Sequence, residues 1–478
     1  MSVLTLAAML LPSAVLYGVL RRLSTGAPTQ VSRALAAAIA PGLGLGLASC
    51  LYFFLLLADL RSAAILRVDA GIWVGIVLVI GADAWFRRRT AQPDEASSSA
   101  RSDRVALAVA AAGAAALIVL AVTAFWTHRS LRPHGEWDAW AIWNLRARAI
   151  LRGAPDWGAV FSPALAWSNV DYPVLLPLSI ARLWAYQGAE TTMVPALVAF
   201  VFLASTVAAV AVLVGQMRGW VSGLLSAAVL LAPHTYVFQS SCQCADVPLA
   251  TYLLIAVACA AIARSSRETG CVLMAAAGAA AGLAAWTKNE GQMLFLLIAI
   301  SVLGWPRGTK LRSWLWFGAG SAVPLAALAS FKLRLSPHNY LFAPEAVAWL
   351  RERLFDASRW TLIRTQMTEL LPAWGELPGG ALIILVAAVA MTLRLDRRST
   401  ARFVYGLSVI VLMMFGDLVV YAITPLPLSW QILTSFQRLV TQLWPALVWA
   451  LFQLSGAALS EKRRVPLERG AAPFSPTI

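Results

Sequence analysis

Residues 105–126 read VALAVAAAGAAALIVLAVTAFW, a run without a single charged side chain. A helix rises about 1.5 Å per residue, so about 20 such residues cross ~30 Å of hydrocarbon. The run predicts a membrane-spanning helix, and the rest of the chain repeats it. Thirteen candidate spans stand at 3–20, 35–58, 71–86, 105–126, 191–215, 220–238, 247–263, 271–286, 291–304, 314–331, 379–395, 403–424 and 438–456. The expected fold is therefore all-α, a polytopic membrane helix bundle of about thirteen spans.

Composition agrees with this reading. Of the 478 residues 60% are apolar and 13% charged, and the mean hydropathy is +0.72. A soluble domain runs nearer half apolar and a quarter charged, so a water-soluble globule is excluded, as is a disordered or fibrous chain. The net charge of +15 does not point to nucleic acid, because the basic residues sit between apolar runs. It points to topology. Placing the segments 21–34, 87–104, 216–219, 264–270, 305–313, 394, 396–402 and the tail on one side collects 22 of the 38 Lys+Arg there. That side is expected to be cytoplasmic, with the N-terminus outside and the C-terminus inside. Five cysteines form no disulfide framework, and twenty tryptophans suit a membrane interface.

Four regions follow. Residues 1–104 form a three-span segment ending in a Ser-rich cytoplasmic linker at 90–104. Residues 105–331 form a core with a first outer loop at 127–190. A second outer loop covers 332–378, and 379–478 holds the last spans and the tail. Both loops are rich in Trp and mixed charge, so they are expected to be ordered and to carry interfacial helices. The apolar stretch 172–187 is short and contains Arg182, so it reads as one such helix at or dipping into the outer interface.

The first loop opens on His134-Gly135-Glu136-Trp137-Asp138-Ala139-Trp140-Ala141-Ile142-Trp143-Asn144-Leu145-Arg146. Asp138–Arg152 is expected to be one amphipathic helix with Trp137, Trp140 and Trp143 as an aromatic stripe. Asp138 then serves either as a plain N-cap or as a carboxylate at the membrane surface that acts as a base or holds a metal. Other ionisable groups fall at the same depth: Asp171 beside Tyr172, Asp246, Lys288 and Glu290 between two short spans, and Arg438. Polar groups gathered at one face of an apolar bundle commonly mark a site. Asp417, two turns inside a span, reads as structural, and Asp83 as a local partner of Arg87–Arg89. His234, Cys242 and Cys244 match no established zinc spacing.

In this order the motifs resemble the multi-spanning glycosyltransferases of the GT-C superfamily, in particular bacterial relatives of protein O-mannosyltransferases and aminoarabinose transferases. The resemblance covers roughly 120–310 and 430–450. It rests on the acidic pair Glu136 and Asp138, on Asp171-Tyr172-Pro173, on Ala245-Asp246, on Thr287-Lys288 and on Arg438 followed by Pro445. Here the first acids are spaced Glu-x-Asp rather than adjacent. The resemblance implies transfer of a sugar from a polyprenyl-phosphate donor to an envelope glycan, lipid or protein acceptor, in a bacterial cytoplasmic membrane with the site facing outward. Asp138, Glu136 and Asp246 would be catalytic, the base being Asp138 or Glu136. Lys288 and Arg438 would meet the donor phosphate. Trp137, Trp140, Trp143, Asp171, Tyr172 and Glu290 would contact substrate. No cofactor is required by the motifs, and a divalent metal is left open. The competing readings are a transporter or flippase of a lipid-linked sugar and a non-catalytic membrane assembly subunit.

The charge count makes one direct prediction. Reporter fusions at residue 95 and at the C-terminus should both read cytoplasmic; an external reading from either would refute the arrangement.

Overall fold

The computed structural model describes residues 1–24, 32–59, 62–90, 104–153, 156–265, 270–304, 307–337, 346–375, 380–390, 393 and 395–455. The linker at 90–104, apart from its two end residues, lies outside the described residues, as do Arg394 and the tail from 456. Among the described residues the architecture is all-α, with no strand beyond one isolated bridge between Leu393 and Ser455.

The helices, in chain order, are α1 (Val3–Ser24), α2 (Arg33–Leu57), α3 (Ser62–Thr90), α4 (Arg104–Leu131), α5 (Asn144–Arg152), α6 (Leu175–Gln187), α7 (Met193–Arg218), α8 (Trp220–Leu231) and α9 (His234–Ser241). Then follow α10 (Asp246–Ser265), α11 (Gly270–Thr287), α12 (Asn289–Leu303), α13 (Arg307–Arg334), α14 (Ala346–Phe355), α15 (Ala357–Ala373), α16 (Gly380–Ala390), α17 (Arg397–Ile423) and α18 (Leu428–Phe452). Twelve of the predicted spans each fall on one of these helices where they are described, and 220–238 is divided between α8 and α9. Among the described residues nine are long and apolar enough to cross a membrane, or ten if α8 and α9, bent by 72°, form one broken span. The chain is a multi-pass membrane protein. The shortfall from thirteen falls on α12, with 15 residues, on α16, with 11, and on α18, which is long but carries Gln431, Gln437, Arg438 and Gln442.

The core is built on close helix contact. α10 is the central helix, buried along almost all of its length. α11 and α13 touch through backbone: a Cβ on Gly278 would stand 2.0 Å from the Phe317 carbonyl oxygen, and one on Gly320 2.0 Å from that of Ala275. Where lipid surrounds a bundle, small residues of this kind let helices approach and gain dispersion contact. The GLGLG at 42–46 has the same role, Gly44 lying against the Pro12 backbone and Gly46 against Tyr252. The five cysteines are free.

Two expectations gain detail here. The stretch 172–187, expected as a helix at or dipping into the outer interface, is a helix packed inside the protein. As α6 it is buried from Leu175 to Trp184, packed on α1, α2 and α5. Its charge is tolerated because Arg182 meets Asp69 of α3: the Arg182 Nη2 donates to Asp69 Oδ2 at 2.7 Å and its Nε at 3.0 Å. Arg182 Nη1 also donates to the Ala8 carbonyl at 2.8 Å, and Tyr186 donates to Asp69 at 2.7 Å. Asp83 pairs with Arg22 of α1 at 3.3 Å; the side chains of Arg87–Arg89, its expected partners, lie outside the described residues.

The second outer segment is helical, as expected, where it is described. α14 and α15 close over the end of α17. Arg353 donates to the Thr424 carbonyl at 2.6 Å, and Arg359 to those of Ala422 and Thr424 at 2.6 and 3.0 Å. These carbonyls have no partner inside their own helix, and cations at a helix C-terminus suit its dipole.

The Asp69–Arg182 pair gives a stability test. Removing one partner of a buried pair leaves an uncompensated charge and costs about 3–5 kcal/mol. Asp69→Ala should lower the thermal midpoint in detergent accordingly, and Asp69→Asn, which keeps an acceptor for Arg182, should lower it less. An unchanged midpoint in Asp69→Ala would show that the pair does not fasten α3 to α6.

Candidate functional site

The long helices alternate in direction. The N-termini of α10 and α12 therefore meet the C-termini of α4, α9, α11, α13 and α17 at one end of the bundle. Asp246 opens α10 there and is fully buried. Three donors from two other parts of the chain converge on it. Lys288 Nζ donates to Asp246 Oδ1 at 3.0 Å, Gln442 Nε2 to the same oxygen at 2.6 Å, and Arg438 Nε to Oδ2 at 3.0 Å. Arg438 and Gln442 are four residues apart on α18, so they share a face.

The same Arg438 reaches Asp138: its Nη1 stands 2.6 Å from Asp138 Oδ2. One guanidinium thus holds Asp138 and Asp246 on adjacent nitrogens. Asp246 is sealed from water, while the Asp138 and Arg438 side chains keep 21% and 22% of their exposure. The cluster is therefore open on the Asp138 side and closed on the Asp246 side.

Lys288 has a second carboxylate, Glu290 Oε1 at 2.8 Å, and lies 5.9 Å from the centre of the Tyr172 ring. Burial by itself would push the Lys288 ammonium down, but the Asp246 and Glu290 carboxylates outweigh this and hold it above its ordinary value. Lys288 breaks the helical run with extended backbone between α11 and α12. Gly291 makes the close return possible, since a Cβ there would stand 1.8 Å from the Ala284 carbonyl oxygen.

Asp171 and Tyr172 form the neighbouring wall. Asn289 Nδ2 donates to Asp171 Oδ2 at 2.8 Å, and Lys332 Nζ, at the end of α13, donates to the Asp171 carbonyl at 2.5 Å. Tyr172 stacks on Trp143 with ring centres 6.0 Å apart. Arg146 shapes this wall from within. It is fully buried and donates to the carbonyls of Ser168, Asn169 and Tyr172 at 2.9, 2.8 and 3.1 Å. Burial draws its pKa down to about 10, against the pull of nearby Asp171.

The first-loop stretch is helical without a break from 137 to 152, as expected for Asp138–Arg152, but it is not regularly wound. Residues 139–143 form a wide π turn, closed by the Asn144 N–H donating to the Ala139 carbonyl, before α5 begins. Five residues per hydrogen-bonded step rotate the three-residue spacing off one face. The aromatic stripe is therefore split. Trp137 and Trp140 are 51% and 48% exposed and touch edge to face at 5.8 Å, while Trp143 is fully buried against Tyr172. Asp138 makes no side-chain cap hydrogen bond, so the plain N-cap reading falls.

Glu136 does not join Asp138. Its carboxylate takes Arg132 Nη1 at 2.5 Å and His128 Nε2 at 3.1 Å. Asp417 is buried in α17 and makes no ion pair among the described residues. Cys242 and Cys244 donate to the carbonyls of Phe238 and Cys242, and His234 stacks on Phe238. Among the described residues no three His, Cys, Asp or Glu converge as metal ligands. The arrangement does not fit a divalent ion between Asp138 and Asp246, because the Arg438 guanidinium already stands there.

Sequence reasoning missed Gln442, Lys332, Asn144 and the inward role of Arg146. Gln442 could have been found from its place one turn after Arg438, and Lys332 from its place at a span end on the same side. Compared with family models, with curated proteins and with solved structures, the chain finds no match.

The two shared carboxylates should differ in their structural weight. Asp246→Ala strands two cations beside a sealed pocket and should cost about 3–5 kcal/mol. Asp138→Ala, at the open side, should cost about 1 kcal/mol or less, near the range of partly solvated pairs. Thermal unfolding of the two variants in one detergent checks the order; equal losses would contradict the closed-and-open geometry.

Proposed function

We propose that the chain is an integral membrane glycosyltransferase. It moves a sugar from a polyprenyl-phosphate donor to an envelope acceptor at the outer face of a bacterial cytoplasmic membrane, on a GT-C-like fold of thirteen crossings. The observation that carries this reading is the Arg438 guanidinium shared by Asp138 and Asp246, with Lys288 on the same Asp246. It supplies, at one end of an apolar bundle, the three things such a reaction needs.

A lipid-linked donor needs an apolar body beside a cationic head group site. Helices α10, α11, α12 and α18 supply the body, and Lys288 and Arg438 the cations. In the reaction the bond between the anomeric carbon and the phosphate oxygen breaks, and a bond from the acceptor oxygen to that carbon forms. The polyprenyl phosphate leaves with one more negative charge, which the two cations meet in a water-poor site where such contacts are strongest. The acceptor hydroxyl loses its proton to Asp138, whose carboxylate is at the open side. Asp246 keeps both cations in place and is a positioning group. A phosphate arriving at Arg438 competes with Asp138 for the same guanidinium. Donor binding therefore frees the Asp138 oxygen that takes the proton. The exposed pair Trp137 and Trp140 offers apolar ring faces to an acceptor beside that base.

The test is turnover and donor binding with purified protein and a defined polyprenyl-phosphate sugar. Asp138→Asn should lower the chemical step about 10²–10⁴-fold, the usual contribution of a positioned base. Its donor binding should be unchanged or tighter, because a competing carboxylate is gone. Arg438→Ala should weaken donor binding and turnover together, since it meets charge in both the ground and the transition state. Normal turnover in both variants, or flipping of a lipid-linked sugar across vesicles with no transfer, would overturn the reading.

A further inference from the structure

Two backbone segments bring Asp138 and Asp246 to Arg438, and they are stitched together a few residues away. The first segment is 133–144, the second 241–245. The Glu136 N–H donates to the Cys242 carbonyl at 3.2 Å. Gln243 Nε2 donates to the Pro133 carbonyl at 3.2 Å, and Asn144 Nδ2 donates to Gln243 Oε1 at 3.2 Å. Gly135 has φ of +76°, and a Cβ there would stand 2.5 Å from the Cys242 carbonyl oxygen. The fit leaves no room for another residue.

His128, at the end of α4, closes the stitch. Its Nε2 stands 3.1 Å from Glu136 Oε1, and its Nδ1 2.7 Å from Ser241 Oγ at the end of α9. With its hydrogen on Nε2 the neutral ring donates to Glu136, and its Nδ1 and the Phe238 carbonyl compete for the one Ser241 hydroxyl hydrogen. Arg132 holds the Glu136 carboxylate from the other side. The order Ser241–His128–Glu136 is that of an acyl-transfer triad, but Ser241 is buried and its Oγ also stands 2.7 Å from the Phe238 carbonyl. No acyl group could reach it, so the linkage is not nucleophilic.

We infer that Glu136 and His128 are a positioning pair, not part of the chemistry. Together they set the register between the segment that carries Asp138 and the segment that carries Asp246. This deepens the glycosyl-transfer reading and rests on it for its kinetic consequences. The Glu136 carboxylate has both oxygens engaged, with Arg132 and His128. The sequence favours Asp138 as the base and leaves Glu136 as the alternative; the contacts separate them into a latch and a working carboxylate.

The experiment uses the full chain in detergent or nanodiscs, with a polyprenyl-phosphate sugar donor. Turnover, acceptor KM, donor binding and hydrogen exchange over 133–144 are measured for Glu136→Gln, Glu136→Ala, His128→Ala and the double alanine variant, beside Asp138→Asn. Glu136→Gln keeps an acceptor for His128 and should lose less than about tenfold in kcat, the scale of one weakened hydrogen bond. Glu136→Ala and His128→Ala should each lower kcat about 10²-fold, the cost of a base misplaced by about 1 Å, with donor binding unchanged. Both should speed exchange over 133–144, and the double variant should be no worse than the worse single one, as expected for two ends of one contact. If Glu136→Gln loses as much as Asp138→Asn with exchange unchanged, Glu136 is in the chemistry and the inference is overturned. It is equally overturned if Glu136→Ala leaves both exchange and kcat as they were. A wild-type chain that transfers no sugar would refute the glycosyl-transfer reading alone; exchange over 133–144 would still decide whether the latch exists.

Discussion

A carboxylate sealed from water must be met by positive charge and by hydrogen bonds, or it does not stay ionised. Asp246 is such a group, and much of this end of the molecule is arranged to satisfy it. It lies at the first residue of the central helix, where the free N–H groups of the helix add to its stabilisation. Lys288 comes to it from the break between α11 and α12, and Arg438 and Gln442 come from α18. Three helical regions distant in sequence are thereby held in one arrangement. Arg438 retains a nitrogen for Asp138 at the open edge. A buried charge at the centre thus fixes the geometry of a partly exposed one.

The same physics appears a second time, with a different outcome. Asp69 and Arg182 are both buried, and their polar atoms are met by each other, by Trp73, by Tyr186 and by the Ala8 carbonyl. That network is closed on every side and joins α1, α3 and α6. The cluster around Arg438 is closed on one side only. Both are built on a buried aspartate held by an arginine, and the open edge is what distinguishes the candidate site from the fastening.

Much of the helical plan was legible in sequence because apolar length is a one-dimensional property. Each predicted span but 220–238, which is divided between α8 and α9, lies on a single helix where it is described, and most of the candidate polar residues lie at one end of the bundle because span ends alternate. What was not legible depends on three-dimensional pairing. Arg182 argued for a surface helix until Asp69, more than a hundred residues away, supplied its counter-charge. Glu136 and Asp138 differ by two positions, yet their partners lie apart, His128 and Arg132 in and just after the last turn of α4 and Arg438 on α18. The Trp137, Trp140 and Trp143 spacing assumed a regular α-helix, and a single wide turn broke the assumption. Thirteen crossings assume that short α12, short α16 and polar α18 traverse as well, which apolar length alone does not establish.

That wide turn has a mechanical consequence. A π turn encloses one residue more than the α turn it replaces. Each residue of an α-helix turns the chain by about 100°. The residues on the two sides of 139–143 therefore stand roughly a quarter-turn or more out of the register that a regular helix would give them. Asp138 before the turn and Trp143 at its end can thus take different directions, the one toward Arg438 and the other against Tyr172.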